Sequence, residues 1–446
     1  MSAERMYSSC GLRAKMLICS DIVATSQERP KQGTSLFNDL SHVLSIPSYS
    51  ERNLRELLDI MKDHPLVDSQ FVRRLVDFYV NSRGPEYELE LNTLNKIILF
   101  YAHVGSMDTA ESLVLSHQNS SKNSPQHANA GPYTTLISEL TSRSSLSSGR
   151  MNLLLDQMKQ FKIPADLPFL NTLIQSAVRQ ENFQQAFTLY ETILRDPASH
   201  MIPDSFVFGS LFNALQRMWA PRSPRLRQAR RPSNAPAPRQ LFRQMLECHV
   251  LAIQVADPRT RPVVRVSTLN VALRLFMLSM DYPGAFVTLQ TFRALDLKPD
   301  VRSYRFVLTI LLAHVKHGLQ TEKSWQRHAT DWAIHFLGGE GSVGMRPEDI
   351  RPEVACALLE FAIRDTECRA PGLAAILGDE KVPENVKWDV EPLERLVARA
   401  ILATMTQKDI REGEAERSLR EKLAPCFFEM VPDRLWRGRR LRRATG

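Results

Sequence analysis

Between residues 266 and 300, apolar positions recur with the spacing of one helix face and are interrupted once. The first face repeats at i, i+3 and i+7, as in an amphipathic helix. Its members are Val266, Leu269, Leu273, Phe276 and Met280. The stretch Asp281–Gly284 carries a Pro-Gly pair that breaks this helix. A second apolar face runs from Ala285 to Phe292, and Pro299 ends it because proline disfavours helix at the preceding residue. The pattern predicts a helical hairpin.

The same hairpin pattern recurs along more than half of the chain, whereas strand-like alternation is scarce. The stretch 167–204 repeats it most closely, since both stretches have Leu-Asn early in the first helix and Pro-Asp at the end. Weaker copies begin at Leu91, Pro132, Ser205 and Val301. This gives about six hairpins between residues 91 and 337. One hairpin cannot bury its apolar face alone, so stacked hairpins predict an all-α solenoid.

The boundaries of the pattern predict the organisation of the chain. The predicted segments are a targeting or disordered stretch (1–45), an N-terminal helical cap or degenerate repeat (46–90), the repeats (91–337) with an Arg/Pro-rich insertion at about 217–239, a C-terminal helical region (338–430) and a basic tail (431–446). The last hairpin is expected to have its second helix at 324–337. Further helices expected at 351–364, 392–405 and 416–423 lack the repeat frame and are interpreted as a cap or as degenerate repeats.

The positive charge of the chain is concentrated in two places. The formal net charge is +8. Ser205–Leu246 contains eight arginines and no acidic residue, and Arg434–Gly446 contains six more arginines. The rest of the chain therefore has a net charge near −6. Such basic patches suit a phosphate backbone, although solvated Arg-rich loops explain each patch equally well.

Signals of catalysis, metal binding and membrane insertion are absent from the sequence. The six cysteines are scattered without a C-x-x-C pair, which argues against a zinc finger or a disulfide scaffold. No phosphate-binding glycine loop and no hydrolase or metalloprotease motif occurs, and His314 and His317 lack a third ligand. Apolar runs are too short to span a membrane. We expect a non-enzymatic protein without a cofactor or a metal, and residues 1–30 give a weak organelle-targeting signal at best.

The repeated unit resembles the pentatricopeptide repeat. The resemblance rests on "VSTLN" at 266–270, "PFLNTLI" at 168–174, "NTLN" at 92–95 and the Pro-Asp endings at Asp204 and Asp300. It implies a right-handed α-α superhelix whose first helices line a groove for single-stranded RNA. In this family, which is a known case of one base per repeat, a polar residue near the start of the first helix and the last residue of the unit select the base.

Carried over, the resemblance implies four base-selecting pairs. They are Asn95 with Asn129, Thr134 with Asp166, Asn171 with Asp204, and Asn270 with Asp300. The last two pairs are similar to the uracil-preferring type, the second to the guanine-preferring type, and the first to a pyrimidine type. Gly209 and Arg305 stand at the selecting position of two other units and depart from the pattern, so only three or four units are expected to select bases.

Each of these residues also has a plain structural interpretation. A single asparagine early in a helix is often a cap or a solvent-facing residue, and a Pro-Asp ending is ordinary turn chemistry. The recurrence of asparagine in one frame favours base selection. In the insertion and the tail, arginines are candidates for RNA-backbone contacts. These are Arg225, Arg227, Arg230, Arg231, Arg439 and Arg440. A tolerated surface insertion is the equal alternative.

Two functions follow as hypotheses. The first is a non-catalytic, mitochondrial protein that binds single-stranded RNA and affects the processing, stability or translation of a transcript. Its location rests on the family resemblance. The second is a helical-repeat scaffold that binds proteins within a ribonucleoprotein complex. The charge near −6 outside the two basic patches favours this alternative, because a groove that meets phosphates is usually basic.

Overall fold

The computed structural model describes most of the helical part of the chain. The described residues are 44–45, 49–62, 69–84, 87–120, 129–142, 148–195, 201–219, 232–255, 261–320, 332–333, 335–337, 388–405, 415–432 and 435. The chain divides into two compact units, Met1–Ser176 and Ala177–Gly446. No strand occurs among the described residues, and the predicted all-α architecture of helical repeats is confirmed.

In the first unit, helices alternate between first and second members of hairpins. They are α1 (Glu51–Met61), α2 (Ser69–Asn81), α3 (Leu91–Val104), α4 (Met107–Ser120), α5 (Gly131–Ser142), α6 (Ser148–Gln160) and α7 (Leu167–Arg179), whose last three residues belong to the second unit. The first helices α1, α3 and α5 pack side by side, and α3 and α5 also pack on α4. The stretch 51–80, for which a hairpin or a cap was expected, forms the helix pair α1–α2.

In the second unit, first and second helices of hairpins alternate again as far as α13, and two C-terminal helices follow. Its helices are α8 (Phe183–Arg195), α9 (Ser205–Trp219), α10 (Pro238–Val255), α11 (Val266–Leu278), α12 (Tyr282–Ala294), α13 (Val301–Gln320), α14 (Glu391–Leu402) and α15 (Ala415–Met430). The first helices α9, α11 and α13 pack in a row, α14 packs on α12, and α15 packs on α10, α12 and α14. The C-terminal helices therefore cover second helices.

Local sequence explains where these helices begin and end. Gly105 follows α3 with a φ of 96°, the left-handed conformation that glycine adopts without a steric penalty. Asp281 begins α12 by accepting a hydrogen bond from the Gly284 amide, and Pro283 lies in the first turn, where its missing N–H costs nothing. A side chain at Gly284 would place its Cβ 2.8 Å from Phe276, so the Asp-Tyr-Pro-Gly break also allows the hairpin to close tightly.

Contacts across helices fix the second unit around this break. The Arg239 guanidinium donates to both carboxylate oxygens of Asp281 at 2.8 and 2.6 Å and to Glu429 at 2.8 Å. The Tyr190 hydroxyl donates to Gln244 at 3.0 Å, which ties α8 to α10. Charged bidentate bonds of this kind are stronger than neutral ones, so Arg239 holds α10, the start of α12 and α15 together.

Several expected elements lie partly or wholly outside the described residues. Arg217 lies in α9, and Pro238 and Arg239 lie in α10, so the ends of the predicted insertion are helical. Residues 220–231, 351–364 and most of 324–337 lie outside the described part of the chain, as do the first 43 residues. In the part that is described, no helix combines the length and apolarity that crossing a bilayer requires.

Candidate nucleic-acid interface

The pair Asn270 and Asp300 meets in one hydrogen-bonded cluster with Ser303. Asn270 is the fifth residue of α11, Asp300 precedes α13, and Ser303 is the third residue of α13. The Asn270 Nδ2 donates to Asp300 Oδ1 at 2.9 Å, and the Ser303 hydroxyl donates to Asn270 Oδ1. Asp300 Oδ1 also accepts from the Ser303 amide at 2.9 Å. Asn270 and Asp300, which the resemblance pairs, are therefore in direct contact.

This cluster uses both ends of the Asn270 amide within the protein. The Asn270 side chain is buried, with 3% of the residue exposed, and Asp300 caps α13 at the same time. Buried polar groups that are fully hydrogen-bonded hold one conformation. Each end of the amide makes one bond to the following unit, so the cluster first of all joins two consecutive repeats.

The same three positions form a second cluster in the first unit that sequence reasoning missed. Arg55 is the fifth residue of α1, Glu90 precedes α3, and Thr93 is the third residue of α3. The Arg55 Nη1 donates to Glu90 Oε2 at 2.7 Å and to Thr93 Oγ1 at 2.9 Å. Counting five residues from the start of the first helix would have found Arg55. The stretch 51–90 is therefore built as a repeat, with an arginine in place of the asparagine.

The unit that begins with α3 brings its predicted pair close together by a different route. The Asn129 Oδ1 accepts from the Gly131 amide at 2.7 Å and so begins α5. A Cβ at Gly131 would lie 3.0 Å from Asn95 Nδ2 and 3.1 Å from Asn129 Oδ1. The Asn95 Oδ1 is buried and has no hydrogen-bond partner among the described residues. Glycine at 131 thus allows the Asn95 and Asn129 side chains to meet over the start of α5.

Two of the four remaining predicted residues, both aspartates, are helix caps. Asp166 accepts from the Phe169 amide at 2.8 Å and begins α7. Asp204, which is 1% exposed, accepts from the Phe206 and Val207 amides and begins α9. The Thr134 hydroxyl donates to the Ala130 carbonyl, and the half-buried Asn171 is the fifth residue of α7. The aspartates at the unit ends therefore have the structural role expected of Pro-Asp turns.

The first helices of the second unit carry only positive charge. Helices α9, α11 and α13 contain no Asp or Glu, and their basic residues are Arg217, Arg274, Arg302, Arg305 and Lys316. All five are exposed. The acidic residues that make the rest of the chain negative lie on other elements, for example Glu191 on α8, Glu247 on α10 and Glu394 on α14. The net charge near −6 of the chain outside the two basic patches therefore does not describe the charge of α9, α11 and α13.

An exposed aromatic ring lies beside this basic row. Phe206, the second residue of α9, is 54% exposed, although a phenylalanine is usually buried. The guanidinium carbons of Arg261 and Arg265 lie 5.9 and 5.7 Å from the centre of its ring, within the range of cation–π attraction. Sequence reasoning missed Phe206, because only the structure shows that this apolar residue points away from the core.

Other predicted features are absent from the interface or lie outside the described residues. The arginines Arg225, Arg227, Arg230, Arg231, Arg439 and Arg440 all lie outside them. His314 Nδ1 is bonded to the Tyr282 hydroxyl at 2.9 Å. Among the described His, Cys, Asp and Glu residues, no group of three or more is placed to hold a metal ion.

Comparisons with known proteins gave matches among solved structures alone. No protein-family model matches the chain, and no curated protein matches it. The chain is similar to the pentatricopeptide repeat protein PPR10 in complex with an 18-nt psaJ RNA element, at 13% identity and a TM-score of 0.28, over 98% of this chain and 71% of that one. It is also similar to PPR10 from maize, at 17% identity and a TM-score of 0.24, over 94% of this chain and 62% of that one. These structures come from the family that the repeats resemble.

Proposed function

We propose that this chain is a non-catalytic protein that binds single-stranded RNA along its first helices. The observation that carries the proposal is the row formed by α9, α11 and α13, which has exposed basic residues and no acidic one. Phosphate contacts by Arg and Lys provide most of the affinity for nucleic acid. The resemblance of the repeats to pentatricopeptide repeats supports the same function.

Each type of residue in the row has a distinct role in this proposal. Arg274, Arg302 and Arg305 contact phosphates along the strand. Phe206 stacks on a base, which any base tolerates because each has a π-face. The cluster of Asn270 with Asp300 selects the base, since an amide can donate to and accept from a Watson–Crick edge. Asn171 has the same role on α7, among the first helices of the first unit.

A binding assay with the full-length chain tests the proposal. Filter binding to a pool of short single-stranded RNAs is expected to show binding that weakens steeply as salt rises, with enrichment of uracil in the bound fraction. Absence of binding at low salt would contradict the proposed function. Duplex DNA of the same length serves as a control, and equal affinity for it would show that charge alone is responsible.

Replacing Asn171 or Asn270 by alanine is expected to weaken the uracil preference by about fivefold, the effect of one lost hydrogen bond. The two variants should differ in stability. Asn270→Ala leaves Asp300 and Ser303 without their buried partner and should cost about 1–3 kcal/mol, whereas Asn171 is half-buried. Urea unfolding of both variants measures this difference. An unchanged uracil preference in both would exclude the asparagines from base selection.

Phe206→Ala is expected to lower RNA affinity by roughly 5- to 100-fold, because stacking on one base contributes about 1–3 kcal/mol. The exposed ring contributes little to the core, so the unfolding midpoint should stay nearly constant. Phe428→Ala is the matched control, since Phe428 is 74% exposed but lies on α15. Fluorescence anisotropy with a labelled RNA compares the two variants, and equal losses would refute a specific role for Phe206.

We also propose a mitochondrial location and an effect on the processing, stability or translation of a transcript. The family resemblance supports both. Imaging of a full-length fluorescent fusion tests the location, and sequencing of RNA crosslinked to the protein in cells identifies the transcript. A protein-binding scaffold is the alternative. It would be favoured if the chain copurified with ribonucleoprotein proteins after nuclease treatment but bound no RNA on its own.

A further inference from the structure

A cavity of about 450 Å³ lies among α10, α12 and α15, on the second helices and apart from the basic row. Two helices line it with stripes at i, i+3, i+4, i+7 and i+8. The stripe on α10 is Leu246, His249, Val250, Ile253 and Gln254, and the stripe from α12 is Val287, Gln290, Thr291, Ala294 and Leu295. Val264, Phe427 and Val431 also line it. The cavity is therefore a feature of how three helices pack.

The cavity wall carries polar side chains without partners. Gln290 is 5% exposed, and its side-chain amide has no hydrogen bond to a described residue. His249 lines the opposite wall, likewise with no hydrogen bond to a described residue. Thr291, by contrast, donates to the Val287 carbonyl at 2.8 Å. Gln290 lines the cavity and its amide is not bonded to another described residue, so it can bond to a molecule that enters from outside.

The chemistry of the wall limits what can enter. None of the residues that line the cavity is Asp, Glu, Lys or Arg. Burial lowers the pKa of His249 below its usual value, which keeps the imidazole neutral at physiological pH. The size lies within the range of small-molecule sites, which combine apolar walls with a few polar groups. A charged ligand would lose its hydration without gaining a counter-charge.

We propose that this cavity binds an uncharged, mainly apolar small molecule through one polar acceptor, such as a carbonyl, that accepts a hydrogen bond from Gln290. The Gln290 amide has two N–H donors, and neutral His249 has one. The apolar part of the molecule packs between the stripes of α10 and α12. The proposal does not depend on RNA binding, because the cavity shares no residue with the basic row.

A matched pair of probes tests the role of Gln290. Benzophenone and diphenylmethane have nearly the same size and differ in one carbonyl. Ligand-observed NMR with the full-length chain is expected to show saturable binding of both, with benzophenone binding about fivefold tighter because of one hydrogen bond. Gln290→Leu should remove this difference while retaining the apolar walls. No saturable binding of either probe, or a difference that survives in Gln290→Leu, would overturn the proposal.

A second pair of variants tests the place of binding. Ala294→Trp fills the cavity from its half-buried rim and is expected to abolish binding of both probes. Leu251→Trp is the control, because Leu251 is 49% exposed, lies on α10 and does not line the cavity. Circular dichroism checks that both variants fold. Probe binding that persists in a folded Ala294→Trp variant would place the site elsewhere. If the Ala294→Trp variant does not fold, the comparison of the two probes in Gln290→Leu decides whether the proposal holds.

Discussion

Neutralising Arg274, Arg302 and Arg305 together, each to Gln, is expected to lower RNA affinity about a hundredfold at 0.1 M salt. Each phosphate contact to a single strand contributes a slope of about −0.7 to log K against log salt. Three lost contacts should therefore make the slope shallower by about 2. The fold should persist, since all three arginines are exposed. Filter binding at several salt concentrations measures both quantities.

The control for this variant removes the same charge from other elements. Arg195, Arg395 and Arg417 are exposed, and each forms an i,i+4 pair with a glutamate on its own helix, α8, α14 and α15 respectively. Changing these three residues to Gln alters the net charge by the same amount. For this control variant, the slope of log K against log salt is expected to stay near that of the unchanged chain. Equal loss in both triple variants would mean that net charge, and not the basic row, attracts RNA.

Replacing Phe276 by alanine is expected to destabilise the second unit by about 3–5 kcal/mol, the usual cost of truncating a large buried side chain. Phe276 is 0% exposed, and its ring centre lies 6.0 Å from that of Phe242 on α10. It also lies under Gly284 at the start of α12. The change removes the side chain on which α10, α11 and α12 converge. Urea unfolding followed by circular dichroism measures the loss.

Leu278→Ala is the matched control for Phe276→Ala. Leu278 lies on the same helix two residues later and is 38% exposed. Its truncation is expected to cost less than about 1 kcal/mol, because little apolar area returns to water. A similar loss of unfolding free energy in both variants would show that the face of α11 with Phe276 was wrongly assigned to the core.

The hairpins themselves could be predicted from the sequence with some accuracy. The apolar face from Val266 to Phe276 appears where expected, on α11. The break lies slightly earlier than expected, at Ser279–Asp281, because α12 already begins at Tyr282. Met280, which was expected on the apolar face, lies in this break with a φ of 56° and is 60% exposed. Local chemistry is sufficient here, because periodicity sets the buried face and the Asp cap with the Pro-Gly pair sets the boundary. For residues 46–90 the sequence left a helical cap and a degenerate repeat as alternatives, since no asparagine marks the frame and Arg55 takes that place.

The candidate site was predicted only in part, because position along a helix does not define a partner. The sequence predicted that Asn270 and Asp300 form a pair. The hydrogen bond from Ser303 to Asn270 and the burial of the Asn270 amide depend on how closely α13 packs on α11. Phe206 and Phe208 are two residues apart on α9, yet one is 54% exposed and the other is 0% exposed. Composition cannot distinguish them.

By itself, then, the sequence determined the all-α hairpins, the approximate positions of their helices and the aspartate caps at unit ends, because helix periodicity, proline and capping act within a few residues. The tertiary structure alone decided which polar groups meet, which aromatic ring is exposed, and that a cavity with the unpartnered Gln290 remains among α10, α12 and α15. These features depend on distances between helices far apart in sequence, and packing sets those distances.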